Sequence, residues 1–532
     1  MRVLGVEGTA WCASAALYDA DAAADSVVIE SDAYQPDSGG IHPREAAEHM
    51  REAIPAVIET VLGAADGDID AVAFSRGPGL GPCLRIVGSA ARALAQALDV
   101  PLVGVNHMVA HLEIGRHQSG FQQPVCLNAS GANAHVLAYR NGRYRVLGET
   151  MDTGVGNAID KFTRHVGWQH PGGPKVETHA RDGEYTALPY VVKGMDFSFS
   201  GIMSAAKDAV DDGVPVADVC RGLEETMFAM LTEVAERALA LTGRDELVLG
   251  GGVGQNDRLR GMLEAMCAAR GASFHAPEPR FLRDNAGMIA VLGAKMAAAG
   301  ATIPVADSAI NSRFRPDEVS VTWRDPESPA RDPGADAVRQ GAEATVTFAD
   351  DAVIKERAPK AYRHDRLDDR LRRDRTVLEA RLTSDARRQG VPTPLVRDVD
   401  VPAATITLQH VGNADLRDAL SPARVRAVGR HLATIHDGGF VHGDPTTRNV
   451  RVGAERTFLI DFGLGYYTDA VEDYAMDCHV FEQSLVGTAA DADALVAAFE
   501  DAYEEAAASG RVLDQLRAVE GRGRYQDDPE TA

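Results

Sequence analysis

His107 and His111 stand four residues apart in His107-Met108-Val109-Ala110-His111. On a helix this spacing puts both imidazoles on one face, one turn apart, a geometry that can share a metal ion. A zinc peptidase needs a glutamate directly after the first histidine to activate water. Met108 stands there, so peptidase chemistry is excluded. A second chemical vocabulary lies near the far end: His442-Gly443-Asp444, Asn449, then Asp461-Phe462-Gly463. That order matches the base, the metal-binding asparagine and the metal-binding aspartate of phosphoryl transfer from ATP. Upstream, Val353-Ile354-Lys355 reads as the strand lysine that pairs with ATP phosphates. Glu379, on a helical segment at 373–387, reads as its acidic partner.

The elements that must carry these residues fall into two groups. In the first part, apolar runs at 3–6, 69–74, 102–105, 125–127, 136–139 and 247–249 predict strands; periodic patterns at 43–62, 84–98, 216–241, 255–269 and 285–298 predict helices. Asn141-Gly142 signals a hairpin. Two strand–glycine turn–strand passages, at 5–10 and 128–133, predict a duplicated α/β domain whose lobes begin alike. Glycine clusters at 77–82, 172–174 and 250–254 permit close backbone approach to a phosphate or nucleotide, and the last follows a strand and precedes a helix. The stretch 324–334 has three prolines and no large apolar side chain besides its flanks, and predicts a linker. Residues 1–323 and 337–532 are then separate domains, joined by 324–336.

At 532 residues the chain is too long for one core. No apolar run approaches the ~20 residues of a membrane span, and the first residues go straight into a strand pattern, so a soluble cytoplasmic protein with no membrane partner is expected. Six scattered cysteines without a C-x-x-C pair exclude a disulfide framework and a cysteine zinc site. The net charge is -24, and only seven of 54 basic residues are lysine. That balance fits a cytosol of high salt, where self-repulsion is screened within ~3 Å at 1 M. The overall field repels nucleic acid, so RNA must meet a local basic patch or a partner subunit. The arginine-rich stretch 363–375 is one candidate.

Ten ordered segments together resemble the universal tRNA threonylcarbamoyltransferase family in its archaeal and eukaryotic form: 5–14 (GVEGTAWCAS), 42–49 (HPREAAEH), 77–85 (GPGLGPCLR), 105–115 (VNHMVAHLEIG), 130–134 (SGANA), 154–162 (GVGNAIDKF), 170–177 (HPGGPKVE), 197–201 (FSFSG), 249–257 (LGGGVGQND) and 284–290 (DNAGMIA). The resemblance implies an actin-like (sugar kinase/heat-shock-protein ATPase superfamily) α/β fold and transfer of threonylcarbamoyl from threonylcarbamoyl-AMP to a tRNA adenosine beside the anticodon. It implies that His107, His111 and Asp284 bind one iron or zinc ion. It further implies that Asn128, Ala129, Ser130, Gly131, Ala132, Asp160, Gly173, Glu177 and Asn256 bind the adenylate. Asn128 replaces a tyrosine common in archaeal relatives; its amide oxygen can still ligate a hard cation. No residue stands out as general base.

The last 200 residues resemble the small atypical serine/threonine kinase of the KEOPS complex, at 341–344 (GAEA), 355–362 (KERAPKAY) and 443–449 (GDPTTRN). This is an α+β kinase-like fold, known fused to the transferase in some archaea. The glycine-rich loop is reduced to Gln340-Gly341-Ala342-Glu343-Ala344, and no A-P-E segment follows Asp461. The resemblance implies that this loop, Lys355, Glu379, Asn449 and Asp461 bind ATP and magnesium, that Asp444 is catalytic, and that other KEOPS subunits dock on each domain. A basic tail at 517–524 precedes an acidic end. A different reading keeps the kinase and makes residues 1–323 a nucleotide-dependent scaffold or small-molecule kinase of the actin-like superfamily. A third makes the chain a protein kinase with a docking domain.

Overall fold

The computed structural model describes all residues except 23–25, 35–41, 66, 141, 325–337, 350, 490 and 521–532. The chain divides into two compact units, residues 1–191 with 195–332, and residues 333–532 with 192–194. Most of the linker expected at 324–336, Asn141 of the hairpin signal, and the tail beyond residue 520 lie outside the described residues.

The first unit is built twice on one plan. In the N-terminal lobe, β1 (Arg2–Glu7), β2 (Cys12–Asp19) and β3 (Val27–Ala33) form an antiparallel meander. After α1 (Pro43–Gly63), β4 (Ala71–Gly77) joins β1 in parallel; after α2 (Gly81–Leu98), β5 (Leu102–Asn106) joins β4 in parallel. The helix α3 (His107–Ser119) leads to the second lobe. There β6 (Val125–Ala129), β7 (Ala134–Arg140) and β8 (Arg143–Glu149) repeat the meander. Helices α4 (Val155–His165), α5 (Gly173–Ala180), α6 (Ser200–Asp211) and α7 (Val216–Thr242) follow, and then β9 (Glu246–Gly250) pairs in parallel with β6. After α8 (Asp257–Arg270), β10 (Ser273–His275) pairs in parallel with β9. The two five-stranded orders, β3-β2-β1-β4-β5 and β8-β7-β6-β9-β10, therefore match strand for strand.

Burial explains the plan. Val3, Leu4 and Val6 are all fully buried, as a central strand covered on both faces requires. One face of the first sheet meets Met50, Ile54 and Val57 of α1 and Val87 and Ala91 of α2. The other meets Met288, Val291 and Leu292, carried by α10 (Ala286–Ala298), which follows the short α9 (Pro279–Leu282). Gly5 is needed there, because a Cβ would sit 2.5 Å from the Ala286 carbonyl oxygen. In the second lobe α7 is buried on every side over most of its 27 residues, the signature of an internal helix.

The second unit begins with an antiparallel sheet in which Thr345–Phe348 pairs with Ala352–Glu356, and that strand with Thr405–Gln409. The helix Asp365–Arg388 carries Glu379. A mainly helical part follows, cored by Val428, Leu432, Phe462, Phe481 and Phe499. All six cysteines are buried and unpaired. Among the described residues no helix is long and apolar enough to cross a membrane.

Candidate active sites of the two units

His107 is the first residue of α3. The helix starts there because the Asn106 side chain accepts the amide hydrogens of Met108 (3.0 Å) and Val109 (3.1 Å), a cap worth about 1 kcal/mol. Asp284 is fixed in the same manner from the other side. It precedes Asn285, whose side chain accepts the Met288 amide of α10 at 3.1 Å. Two capped helix starts thus bring His107 Nε2 to 3.3 Å and His111 Nε2 to 3.7 Å from Asp284 Oδ1. The ligand atoms of the three residues lie within 4.8 Å of one another.

Electrostatics within this triad are those of a cation site. Glu7, fully buried at the end of β1, accepts the Thr9 amide with one oxygen and faces His107 Nδ1 at 3.1 Å with the other. Burial alone would depress His107, yet the carboxylates of Glu7 and Asp284 raise it to about 10. Burial would raise Asp284, but the two imidazoles hold it far below the usual carboxylate range. Burial drives His111 down. His111 is 1% exposed and neither ring nitrogen has a hydrogen-bond partner. An orphaned buried polar group costs about 1–3 kcal/mol. An ion accepting that lone pair removes the cost, so the residues fit a metal; the glutamate behind His107 would orient the ring, as partners behind metal-binding histidines do.

Asn128 lies next to this cluster. A Cβ on Gly250 would meet both Asn128 Oδ1 (3.2 Å) and His111 Cβ (3.3 Å). Asn128 Oδ1 is also buried and unpartnered. From Asn128 the predicted adenylate residues continue without a break. Gly251, at φ 83°, lets the chain pass Ala129, whose oxygen a Cβ would approach to 2.3 Å. Ser130 and Gly131 accept the amides of Gly156 (3.3 Å) and Asn157 (2.8 Å) at the start of α4, leaving Ala132 in the turn toward β7. Asp160 on α4 accepts the Gly172 amide at 2.8 Å and pairs with His170 at 3.2 Å, which fixes the start of α5 at Gly173, where a side chain would find open space. Glu177 on α5 accepts the Asp257 amide at 3.1 Å, and Asn256 caps α8.

The glycine clusters do not all serve one purpose. Gly77 and Gly79 are filled by their own chain, with Asn311 and Thr9 where a Cβ would stand. Gly77 and Gly79 therefore pack the strand end against neighbouring loops, while at Gly81 a Cβ would meet only the Arg85 guanidinium, at 3.8 Å. Gly173 and Gly252 are open.

Sequence reasoning missed Glu7 and Glu224. Glu224, on α7 and 4% exposed, accepts the Asn256 side-chain amide at 2.7 Å. Burial, with Glu177 nearby and against the Asn256 hydrogen bond, lifts its carboxyl to about 7 from an ordinary 4.5. A folded value above the unfolded one means that the neutral form favours the fold. That contribution is complete below 4.5 and lost as pH rises through 7. Glu224→Gln should therefore gain in melting temperature over wild type between pH 5 and pH 8. A difference that is the same at both pH values would contradict this.

In the second unit Lys355 Nζ donates to Glu379 at 3.0 Å and to Asp461 at 2.5 Å. Burial would raise Asp461, but Lys355 holds it below the usual carboxylate range. Asn449 donates to the Asp444 carboxylate at 2.9 Å and to its carbonyl at 2.8 Å. Asp477, unremarked in the sequence, accepts the backbone amides of His442 (2.6 Å) and Gly443 (2.8 Å) and so fixes the loop before Asp444. The reduced glycine loop is a tight turn closed by the Gly341 amide on the Ala344 carbonyl, between the strands of Gln340 and Thr345. Ala342 and Glu343 form its tip, and the Glu343 carboxylate is committed to Arg375 at 2.6 Å. Within the arginine-rich stretch 363–375 three of the cations are already paired. Arg363 and Arg372 pair with Asp368, and Arg375 with Glu343.

The family model for tRNA N6-adenosine threonylcarbamoyltransferase matches residues 23–291, and that of the phosphotransferase enzyme family matches residues 322–518. The chain is 69% identical to a probable bifunctional tRNA threonylcarbamoyladenosine biosynthesis protein of Haloarcula marismortui, over 99% of this chain and all of the relative. It belongs to this family. The likeness to the same-named proteins of Natronomonas pharaonis (70% identity, 99% of this chain and all of the relative) and Methanosarcina mazei (45%, 98% and 99%) is equally end to end. A bifunctional enzyme of tRNA threonylcarbamoyladenosine biosynthesis, with a transferase of actin-like fold and a kinase-like unit, is what both halves show, and metal and ATP use follow from them in general terms.

Proposed function

We propose that residues 1–323 transfer threonylcarbamoyl from threonylcarbamoyl-AMP to the exocyclic amine of the tRNA adenosine beside the anticodon, in tRNAs reading ANN codons. Residues 337–532, joined to them by 324–336, hydrolyse ATP and regulate the transfer. The observation that carries the first reading is the buried triad His107, His111 and Asp284, with its orphaned imidazole, abutting the strand turn at Asn128–Ala132.

His107, His111 and Asp284 would hold one iron or zinc ion, with Asn128 alongside. Such an ion supplies charge stabilisation to an oxygen of the adenylate during acyl transfer. The chain's own residues do the rest. Glu7 orients His107. Ser130, Gly131 and Ala132 present a turn to the phosphate side, and Asp160, Gly173, Glu177 and Asn256 line the nucleoside side. The adenosine amine forms the new bond to the carbonyl carbon and gives up a proton as the bond to the phosphate oxygen breaks and AMP leaves. In the second unit Lys355 and Glu379 place the ATP phosphates, Asn449 and Asp461 would hold magnesium, and Asp444 orients or deprotonates the acceptor. The partners are tRNA, the adenylate and the other KEOPS subunits, in the cytoplasm.

The test is reconstitution. The purified chain, with its partner subunits, threonylcarbamoyl-AMP and tRNA, should yield threonylcarbamoyladenosine and AMP in equal amounts. AMP release without modified tRNA would overturn the proposal.

A further inference from the structure

We propose that Arg357 is a positioning residue of the ATP site, which holds Glu379 permanently in place for Lys355. The inference rests on the reading of the second unit as an ATP-hydrolysing domain.

Arg357 follows the strand Ala352–Glu356 that carries Lys355, two residues further on. Its side chain is 2% exposed, among the largest fully buried ones in the protein. A guanidinium in that position needs a counter-charge. It donates to Glu379 Oε2 through one nitrogen and to Thr376 Oγ1 at 3.3 Å through another. Thr376 and Glu379 are three residues apart, hence on one face of the helix Asp365–Arg388. Glu379 is itself fully buried, and its other oxygen receives Lys355 at 3.0 Å. One carboxylate is thus clamped between two cations from the same strand end.

Ordinary protein kinases make and break the lysine–glutamate pair by moving the helix, under control of a phosphorylated activation segment. This chain has no A-P-E segment after Asp461. Swinging the helix away here would strand Arg357 as a buried cation without its carboxylate, a strongly unfavourable state. The pair is therefore assembled without an activating modification. Gly463 fits the same account. A Cβ there would stand 2.5 Å from Arg357 Nη2, 3.2 Å from Asp461 Oδ1 and 3.3 Å from Glu379 Oε2, so a side chain at this position would press on the guanidinium and on both carboxylates beneath the turn. In this role Arg357 touches no nucleotide and acts only through Glu379.

The full chain with MgATP and its partner subunits provides the test. Arg357→Met should lower kcat for ATP hydrolysis at least about tenfold, well below its melting temperature and with KM for ATP nearly unchanged. Arg357→Lys, which restores a cation to Glu379 but cannot also reach Thr376, should recover part of the loss. Gly463→Ala should also lower kcat, because its methyl group would press on Arg357 Nη2 and on Asp461 Oδ1. Wild-type kcat in Arg357→Met overturns the proposal. If Arg357→Met does not fold, Arg357→Gln, which keeps a polar group beside Glu379 without the charge, takes its place, and wild-type kcat in it overturns the proposal. Lys355→Ala and Asp461→Asn separate the two levels. If they also keep wild-type hydrolysis, the ATP site itself is wrongly placed; if they lose it while Arg357→Met keeps it, only the positioning role fails.

Discussion

The His107→Ala/His111→Ala protein should form threonylcarbamoyladenosine on tRNA at less than about one-hundredth of the wild-type rate, and should retain no metal after gel filtration. The size of the effect follows from what the two rings share. Both approach one carboxylate oxygen of Asp284, at 3.3 and 3.7 Å, so removing both leaves one of the three candidate ligands. A lone carboxylate does not hold a transition metal against dilution, and charge stabilisation of the reacting oxygen is worth several kcal/mol. Loss of folding is not the expected cause. His111→Ala deletes two buried ring nitrogens that make no hydrogen bond, although Nε2 stands 3.7 Å from Asp284 Oδ1, so the cost to the fold is small. His107→Ala does leave Glu7 and Asp284 without their cation, so ATP hydrolysis by the second unit and a melting curve serve as controls. Full tRNA modification by this variant would overturn the transferase assignment of the site.

Much of this site was legible because its parts are local. The four-residue spacing of His107 and His111 needs only one helical turn, and Asn106 before them is itself a capping residue. The glycine turns after β1 and β6 announced two similar lobes, and the structure repeats the strand order in both. Less visible were residues whose role depends on chains far apart in sequence. Glu7 faces His107 across one hundred positions, and nothing in Gly5-Val6-Glu7-Gly8 marks it except an acid at the end of an apolar strand. Glu224 was hidden within a helix that is buried on every side, where a single charged residue looks like one of several.

Charge patterns in sequence do not show pairing in three dimensions. The arginines at 363–375 read as a basic stripe, and Asp368 pairs with Arg363 and Arg372 while Glu343 pairs with Arg375. Glycine was similarly ambiguous. At 250–251 it makes room for Asn128 and Ala129 beside the candidate metal site; at 77–79 it makes room only for the protein's own loops. One residue type, freed of its Cβ, answers to whatever backbone comes closest, and the sequence alone does not say which.

Asp444→Ala should lower ATP hydrolysis by about a hundredfold or more while leaving KM for ATP within a few-fold, the range expected for removal of a positioned general base. The geometry separates the two parameters. Phosphate and metal contacts would come from Lys355, Asn449 and Asp461, and these stay. Lys355 keeps Glu379 at 3.0 Å, independently of Asp444. What is lost is a carboxylate that Asn449 steadies at 2.9 Å, on a loop whose preceding amides are held by Asp477. The backbone there should not shift. Gly443 lies at φ 83° against the Leu464 carbonyl, and Asp444 contributes its side chain beyond that fixed turn. Asp444→Asn is the sharper variant, since it keeps the size and the Asn449 contact but removes the basic oxygen. Equal losses in the two variants would identify the charge as what the reaction uses. Hydrolysis at the wild-type rate in either would remove Asp444 from the chemistry and leave the kinase-like order of Asp444, Asn449 and Asp461 as a nucleotide-binding frame alone.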